Sequence, residues 1–155
     1  MDRISKQTAN AAYLAWTLLS CAVHILLFRG KVNMALAVWQ RLLLVPIAIL
    51  AVLFVHEGVH FVFMKLFGLG KVKLIFARDK LGIPTPGVLA QKQGTKRQEI
   101  IMRLAPFALL TLLPDILFAF YSGVHLLFFL MAMANCAGCF YDLLDVCRLL
   151  KAERG

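Results

Sequence analysis

The sequence predicts an all-α membrane protein: a bundle of about four transmembrane helices with a short cytoplasmic β-hairpin between helices 2 and 3. Three observations lead there. Of 155 residues, 61% are A, V, I, L, M, F, W, Y or C. Soluble domains reach roughly 45–50% even with glycine counted, and a chain this short has too little interior to hide the excess. The apolar residues also gather in four runs near the ~20 residues that cross a bilayer. Finally, the net charge of +9 falls mainly between and beyond those runs, where basic residues meet cytoplasm and anionic lipid. No nucleic-acid motif accompanies that charge, so the lipid bilayer is the expected partner and nucleic acid is not.

The chain reads as one integral membrane domain over 1–155. The first run is 11–28, AAYLAWTLLSCAVHILLF. It starts like a signal peptide, and Leu18-Leu19-Ser20-Cys21 resembles a lipoprotein cleavage box. The apolar run continues to Phe28, however, so an uncleaved spanning helix is expected. His24, alone in this run, is expected to make an interhelical hydrogen bond. The second run is 42–67, with Pro46 in its first turns and Gly68 and Gly70 ending it.

Residues 70–100 form the only sizeable polar region. KVKLIFA alternates like a strand, with Val72, Leu74 and Phe76 on one side. LGIPTPG, with Pro84, Pro86 and Gly87, reads as a turn, VLAQ as a returning strand, and QKQGTKRQE as a polar lead-in. Two roles compete for this hairpin: a solvated connector, or a strand edge that accepts an extended substrate. The third run, about 101–121, carries Arg103 as an interfacial anchor and Pro114 as a kink. Asp115 lies deep within it and costs about 2.5–3.5 kcal/mol unless it finds a partner or a proton. A hydrogen bond to another helix is the favoured reading. The fourth run is about 124–147. The cysteines Cys21, Cys136, Cys139 and Cys147 sit in or beside apolar segments and read as buried, reduced small hydrophobes.

The second run contains VLFVHEGVHFVF, residues 52–63. His56 and His60, four apart, share one helix face about one turn apart. Glu57 follows the first histidine. This is HExxH, in which two imidazoles hold Zn2+ and the glutamate acts on zinc-bound water.

Charge sets the orientation. Counting Lys and Arg, the N-terminus, the second connection and the C-terminus together carry 14, against 3 on the first connection and none on the Ser122-Gly123 turn. The expectation is a multi-pass protein of the cell membrane with both termini and the hairpin in the cytoplasm. The second and fourth spans then run the same way. At 1.5 Å per residue His56 lies roughly 21 Å into its span and Asp142 roughly 27 Å into its own. That difference is about one turn, so Asp142 can complete a two-histidine, one-carboxylate zinc site. Cys139, one turn before it, competes as a thiolate ligand, and Asp145 reads as interfacial.

On HEGVHFVFMKLFG, the polar stretch ending in RLAPF, and NCAGCFYDL, the chain from about 50 to 150 resembles a family of small bacterial membrane proteins described as putative zincin peptidases. More distantly it is similar to site-2 proteases. The resemblance implies His56, His60 and Asp142 as zinc ligands and Glu57 as the catalytic carboxylate. It also implies Asn135, seven residues before Asp142 on the same helix face, as a hydrogen-bond donor at the site that helps hold an oxyanion. Tyr141 stands where the family usually has glycine, and Cys139 where a small hydroxyl residue is common. The expected function is an intramembrane zinc metallopeptidase that hydrolyses peptide bonds of a membrane protein or peptide substrate. The alternative is a non-catalytic, zinc-stabilised membrane protein that binds partners.

Overall fold

Long stretches without a polar face leave the chain little choice but helix, since every backbone N–H and C=O is then satisfied within its own segment. A computed structural model describes residues 6–33, 35–78 and 84–151. In order these form α1 (Lys6–Phe28), β1 (Val32–Asn33), α2 (Val38–Leu66), β2 (Val72–Arg78), β3 (Pro84–Ala90), α3 (Lys96–Phe107), a π-helical turn (Ala108–Leu112), α4 (Leu113–Phe120), β4 (Val124–His125), α5 (Leu126–Gly138) and α6 (Phe140–Lys151). α3, the π turn and α4 make one rod. Three helices are long and apolar enough to cross a membrane, or four if the bent pair α5 and α6 is one span. The termini at 1–5 and 152–155, which the charge count assigned to the cytoplasm, and the hairpin tip at 79–83 lie outside the described residues.

Local chemistry moves several boundaries. α2 begins at Val38, before the apolar run, because Gln40 Oε1 accepts the Ala37 N–H at 2.9 Å. Pro46 therefore lies in the helix interior and not in its first turns. At the other end, Gly68 takes φ +67°. Leu69 N–H then reaches Met64 O at 3.1 Å and Gly68 N–H reaches Lys65 O at 3.0 Å, the paired bonds of a Schellman ending. The stretch expected as a polar lead-in is partly helix. Thr95 Oγ1 accepts the Gln98 N–H while Gln98 Oε1 accepts the Thr95 N–H, a reciprocal cap that starts α3 at Lys96.

The hairpin also differs from expectation. Pro84, Pro86 and Gly87 belong to β3, not to a turn. Their register explains how. β3 pairs with β2 antiparallel, with Phe76 opposite Pro86 and Arg78 opposite Pro84, and Gln91 N–H donates to Lys71 O at 3.0 Å. Backbone groups alternate sides along a strand, so residues 85, 87 and 89 face β2, while 84, 86, 88 and 90 face away. Both prolines thus fall where the sheet needs no donor. Phe76 packs edge-on against Phe54 at 6.3 Å, two residues before His56, so β2 runs back alongside the helix.

The apolar core, Phe28, Phe118, Val124, Leu126, Phe129 and Ala132, gathers where α1 and α4 end and α5 begins, around the parallel β1–β4 pair. One turn above Phe28, buried His24 Nδ1 donates to Ser20 O at 2.9 Å and its Nε2 faces Asp115 Oδ2 at 3.3 Å. The two polar residues stranded in separate apolar runs are therefore each other's partners. Pro114, expected to kink its helix, is preceded by the π turn, in which Leu113 N–H reaches back five residues to Ala108 O. The wider turn accommodates the ring and the missing N–H of the proline.

Replacing His24 by Leu should leave Asp115 without its partner and lower stability by about 3 kcal/mol. Adding Asp115→Leu should restore most of the loss. Denaturant unfolding in detergent, followed by circular dichroism, reads both; equal losses in the single and double variants would sink the pairing.

Candidate metal centre

α2 presents His56 and His60 one turn apart, with ring centroids 4.9 Å apart and planes at 74°. Their Nε2 atoms stand 3.2 Å apart. α6 brings Asp142 to the same point: its Oδ2 lies 3.1 Å from His56 Nε2 and 3.4 Å from His60 Nε2. Ligand atoms 2.0–2.1 Å from a tetrahedral zinc ion stand roughly 3.3–3.4 Å apart. The three atoms already have that spacing. They are also of the right kind, two imidazole nitrogens and one carboxylate oxygen, and their mutual closeness leaves three lone pairs converging on one point.

The next residues out decide which nitrogen is the lone pair. Asn135 is fully buried. Its Nδ2 donates to Pro106 O at 2.9 Å and Thr111 Oγ1 at 2.9 Å, with Cys139 Sγ at 3.5 Å. Three acceptors around Nδ2 fix the amide's orientation, so Oδ1 is what faces His56 Nδ1, at 2.9 Å. An amide oxygen accepts; His56 Nδ1 therefore carries the proton and Nε2 is bare, the tautomer that ligates a metal. The amide expected to face an oxyanion is thus spent on holding the imidazole. Thr111, which the sequence reading passed over, sits in the π turn and is buried there. In the sequence it is a lone threonine within the apolar run FALLTLLP, which was the available signal.

Asp142 is steadied from α3. Arg103 Nη1 lies 3.5 Å from Asp142 Oδ1 and 2.8 Å from Asp145 Oδ2, and Arg148 Nη1 holds Asp145 Oδ1 at 2.8 Å. Arg103, expected as an interfacial anchor, thereby occupies the carboxylate oxygen that does not face the histidines. Cys139 is not part of the converging set. It is fully buried behind the site, against Asn135. Tyr141 turns away from the metal point and stacks on Tyr13 of α1 at 5.6 Å.

The site opens on a cavity of about 430 Å³ lined by Glu57, His60, Asp142 and Arg103 on one side and Gly87, Val88 and Ala90 of β3 on another. Glu57 lines this cavity and stands outside the ligand set. Val88 and Ala90, whose backbone groups face away from β2, border the same cavity.

Residues 49–155 match the model of a family described as putative zincin peptidase. No curated protein and no solved structure matches the chain.

Removing the amide with Asn135→Ala should free the His56 ring and weaken zinc binding by about 10–100-fold. Competition with a chromophoric chelator measures this; unchanged affinity would remove Asn135 from the site.

Proposed function

The chain belongs to the putative zincin peptidase family, and from that premise we propose that it is an intramembrane zinc metallopeptidase acting on peptide bonds of membrane-associated substrates. The observation that carries the reading is the convergence of His56 Nε2, His60 Nε2 and Asp142 Oδ2 at tetrahedral spacing beside Glu57. His56, His60 and Asp142 would hold the metal. Bound zinc supplies Lewis acidity, which brings the pKa of water down toward about 7 and polarises a carbonyl. Glu57 takes the proton from the attacking water and passes it to the leaving amine nitrogen. Asn135 keeps the His56 lone pair aimed inward, and Arg103 keeps Asp142 Oδ1 occupied so that Oδ2 serves the metal.

The substrate lies extended along β3. Pro84 and Pro86 offer no N–H, so pairing falls to Val88 and Ala90, whose outward groups border the cavity. Main-chain recognition of this kind requires an unfolded or unwound segment, and it tolerates many side chains. Cys139 and Tyr141 both stand outside the cavity lining, which favours catalysis over a purely zinc-stabilised binding protein.

A bilayer setting is supported by α2. Only 11% of its most apolar window is buried within the bundle, and the outward side chains, among them Leu42, Ile47, Leu50 and Phe54, are themselves apolar. A helix apolar all round is stable where its outer face meets hydrocarbon. With α5 and α6 taken as one span, four crossings return both ends to one side, and the excess of Lys and Arg makes that side the cytoplasm. The cavity is bordered by Lys92 and Arg103, basic residues that suit that side.

Metal analysis should find one zinc per chain in the wild type and none in His56→Ala. Glu57→Gln should keep the zinc and lose peptidase activity by about 10²–10⁴-fold, the usual contribution of a positioned acid–base group. Cleavage of a transmembrane reporter in proteoliposomes tests this. Full activity in Glu57→Gln would overturn the mechanism.

A further inference from the structure

The metal point depends on a joint in the chain. Asn135 and Asp142 lie on opposite sides of Cys139, where α5 passes into α6 with a 40° bend. On the α5 side Asn135 is bound to His56 Nδ1; on the α6 side Asp142 must reach the same ring's Nε2. Asp142 is three residues past the joint, about 4.5 Å along the helix axis. A swing of about 10° there moves it by ~0.8 Å at that rise per residue. Metal–ligand distances hold to within about 0.2 Å. Whatever sets the angle therefore decides whether the third ligand arrives.

The element that grips this joint on both sides is α1, which lies wholly outside the segment matched by the family, 49–155. On the α5 side, Trp16 Nε1 donates to Cys136 O at 2.8 Å, and Ser20 Oγ meets Cys136 Sγ at 3.5 Å. On the α6 side, the Trp16 ring leans on Phe140 at 6.4 Å, Tyr13 packs edge-on against Phe140 at 5.8 Å, and Tyr13 stacks on Tyr141 at 5.6 Å. Trp16 thus touches the chain three residues before Cys139 and again one residue after it. Phe140 and Tyr141 are the two residues that lead directly into Asp142. None of these α1 side chains lines the cavity.

We propose that α1 is a clamp on the α5–α6 joint, with Tyr13 and Trp16 as positioning residues that set the reach of Asp142 to the metal. This rests on the zinc reading above. The bonds act on both arms of the bend at once, so loosening either lets α6 turn while α5 stays anchored through Asn135. The indole N–H fixes a carbonyl at a defined distance, which ring packing alone does not do. The tyrosine pair gives the complementary constraint, since stacked rings resist rotation about the helix axis.

The test is a cycle run on the full chain in lipid nanodiscs. Zinc affinity is measured by chelator competition for the wild type, Trp16→Phe and Tyr13→Ala, each with and without Asp142→Ala; Co2+ absorption reports coordination geometry. Trp16→Phe keeps a ring against Phe140 and removes only the N–H. It should weaken zinc about tenfold, at the low end of the 10–100-fold range for groups that orient ligands, and reduce the tetrahedral Co2+ band. Tyr13→Ala should do the same. In the Asp142→Ala background neither change should cost more affinity, because the ligand they position is gone. Leu18→Ala, on the outward side of α1, should leave affinity unchanged. An equal fold-loss in both backgrounds would mean general loosening of the bundle and would overturn the clamp, as would full zinc affinity in both clamp variants. Absence of zinc from the wild type would instead strike down the metal reading, and the clamp with it.

Discussion

Two imidazole nitrogens and one carboxylate oxygen meet within 3.4 Å of one another at the HExxH turn. In an interior of low dielectric this arrangement is unfavourable without a cation to share, and the surrounding structure holds it in place. The His56 ring is fixed by Asn135. Asn135 is fixed by Thr111 and by Pro106 O. Asp142 is fixed by Arg103 and by the bend at Cys139.

The two irregularities in the rods both border Asn135. The π turn at Ala108–Leu112 turns Thr111 inward, and the break at Cys139 redirects the chain from Asn135 to Asp142. Irregular turns in otherwise continuous helices commonly mark functional positions. Here the proline that follows the π turn supplies a local cause. At the Cys139 break no proline or glycine sits in the joint itself, although Gly138 precedes it; its contacts with α1 lie on either side. The first break thus has a local cause in a missing N–H, while the second lies beside Gly138 and is contacted from α1 on both arms.

Much of the site was legible from residue types at short spacing. HExxH declares two imidazoles on one face, because four residues are close to one helical turn. Asp115 and His24 were each marked by the cost of a polar group in an apolar run, though nothing short-range named them as partners. The misplacements have local causes as well. Pro84 and Pro86 look like turn residues in composition, yet alternate positions on a two-stranded edge accept them. QKQGTKRQE looks like a linker by polarity, yet Thr95 and Gln98 three apart are a helix start. The role of Asn135 was mistaken because a side-chain amide is both donor and acceptor, and only its neighbours decide which end faces the site.

By itself the sequence determined the helices, the apolar faces that must be covered and the paired histidines with their glutamate. All of these follow from periodicity and composition within a few turns. The tertiary structure alone decided that Asp142 and not Cys139 joins the histidines, that Asn135 accepts from His56, that β3 borders the cavity, and that α1 braces the joint. Those contacts join residues 86, 79 and, for Trp16 and Cys136, 120 positions apart. At such separations the outcome is set by how packed helices cross and where they bend, and a shift of less than one ångström separates a ligand from a bystander.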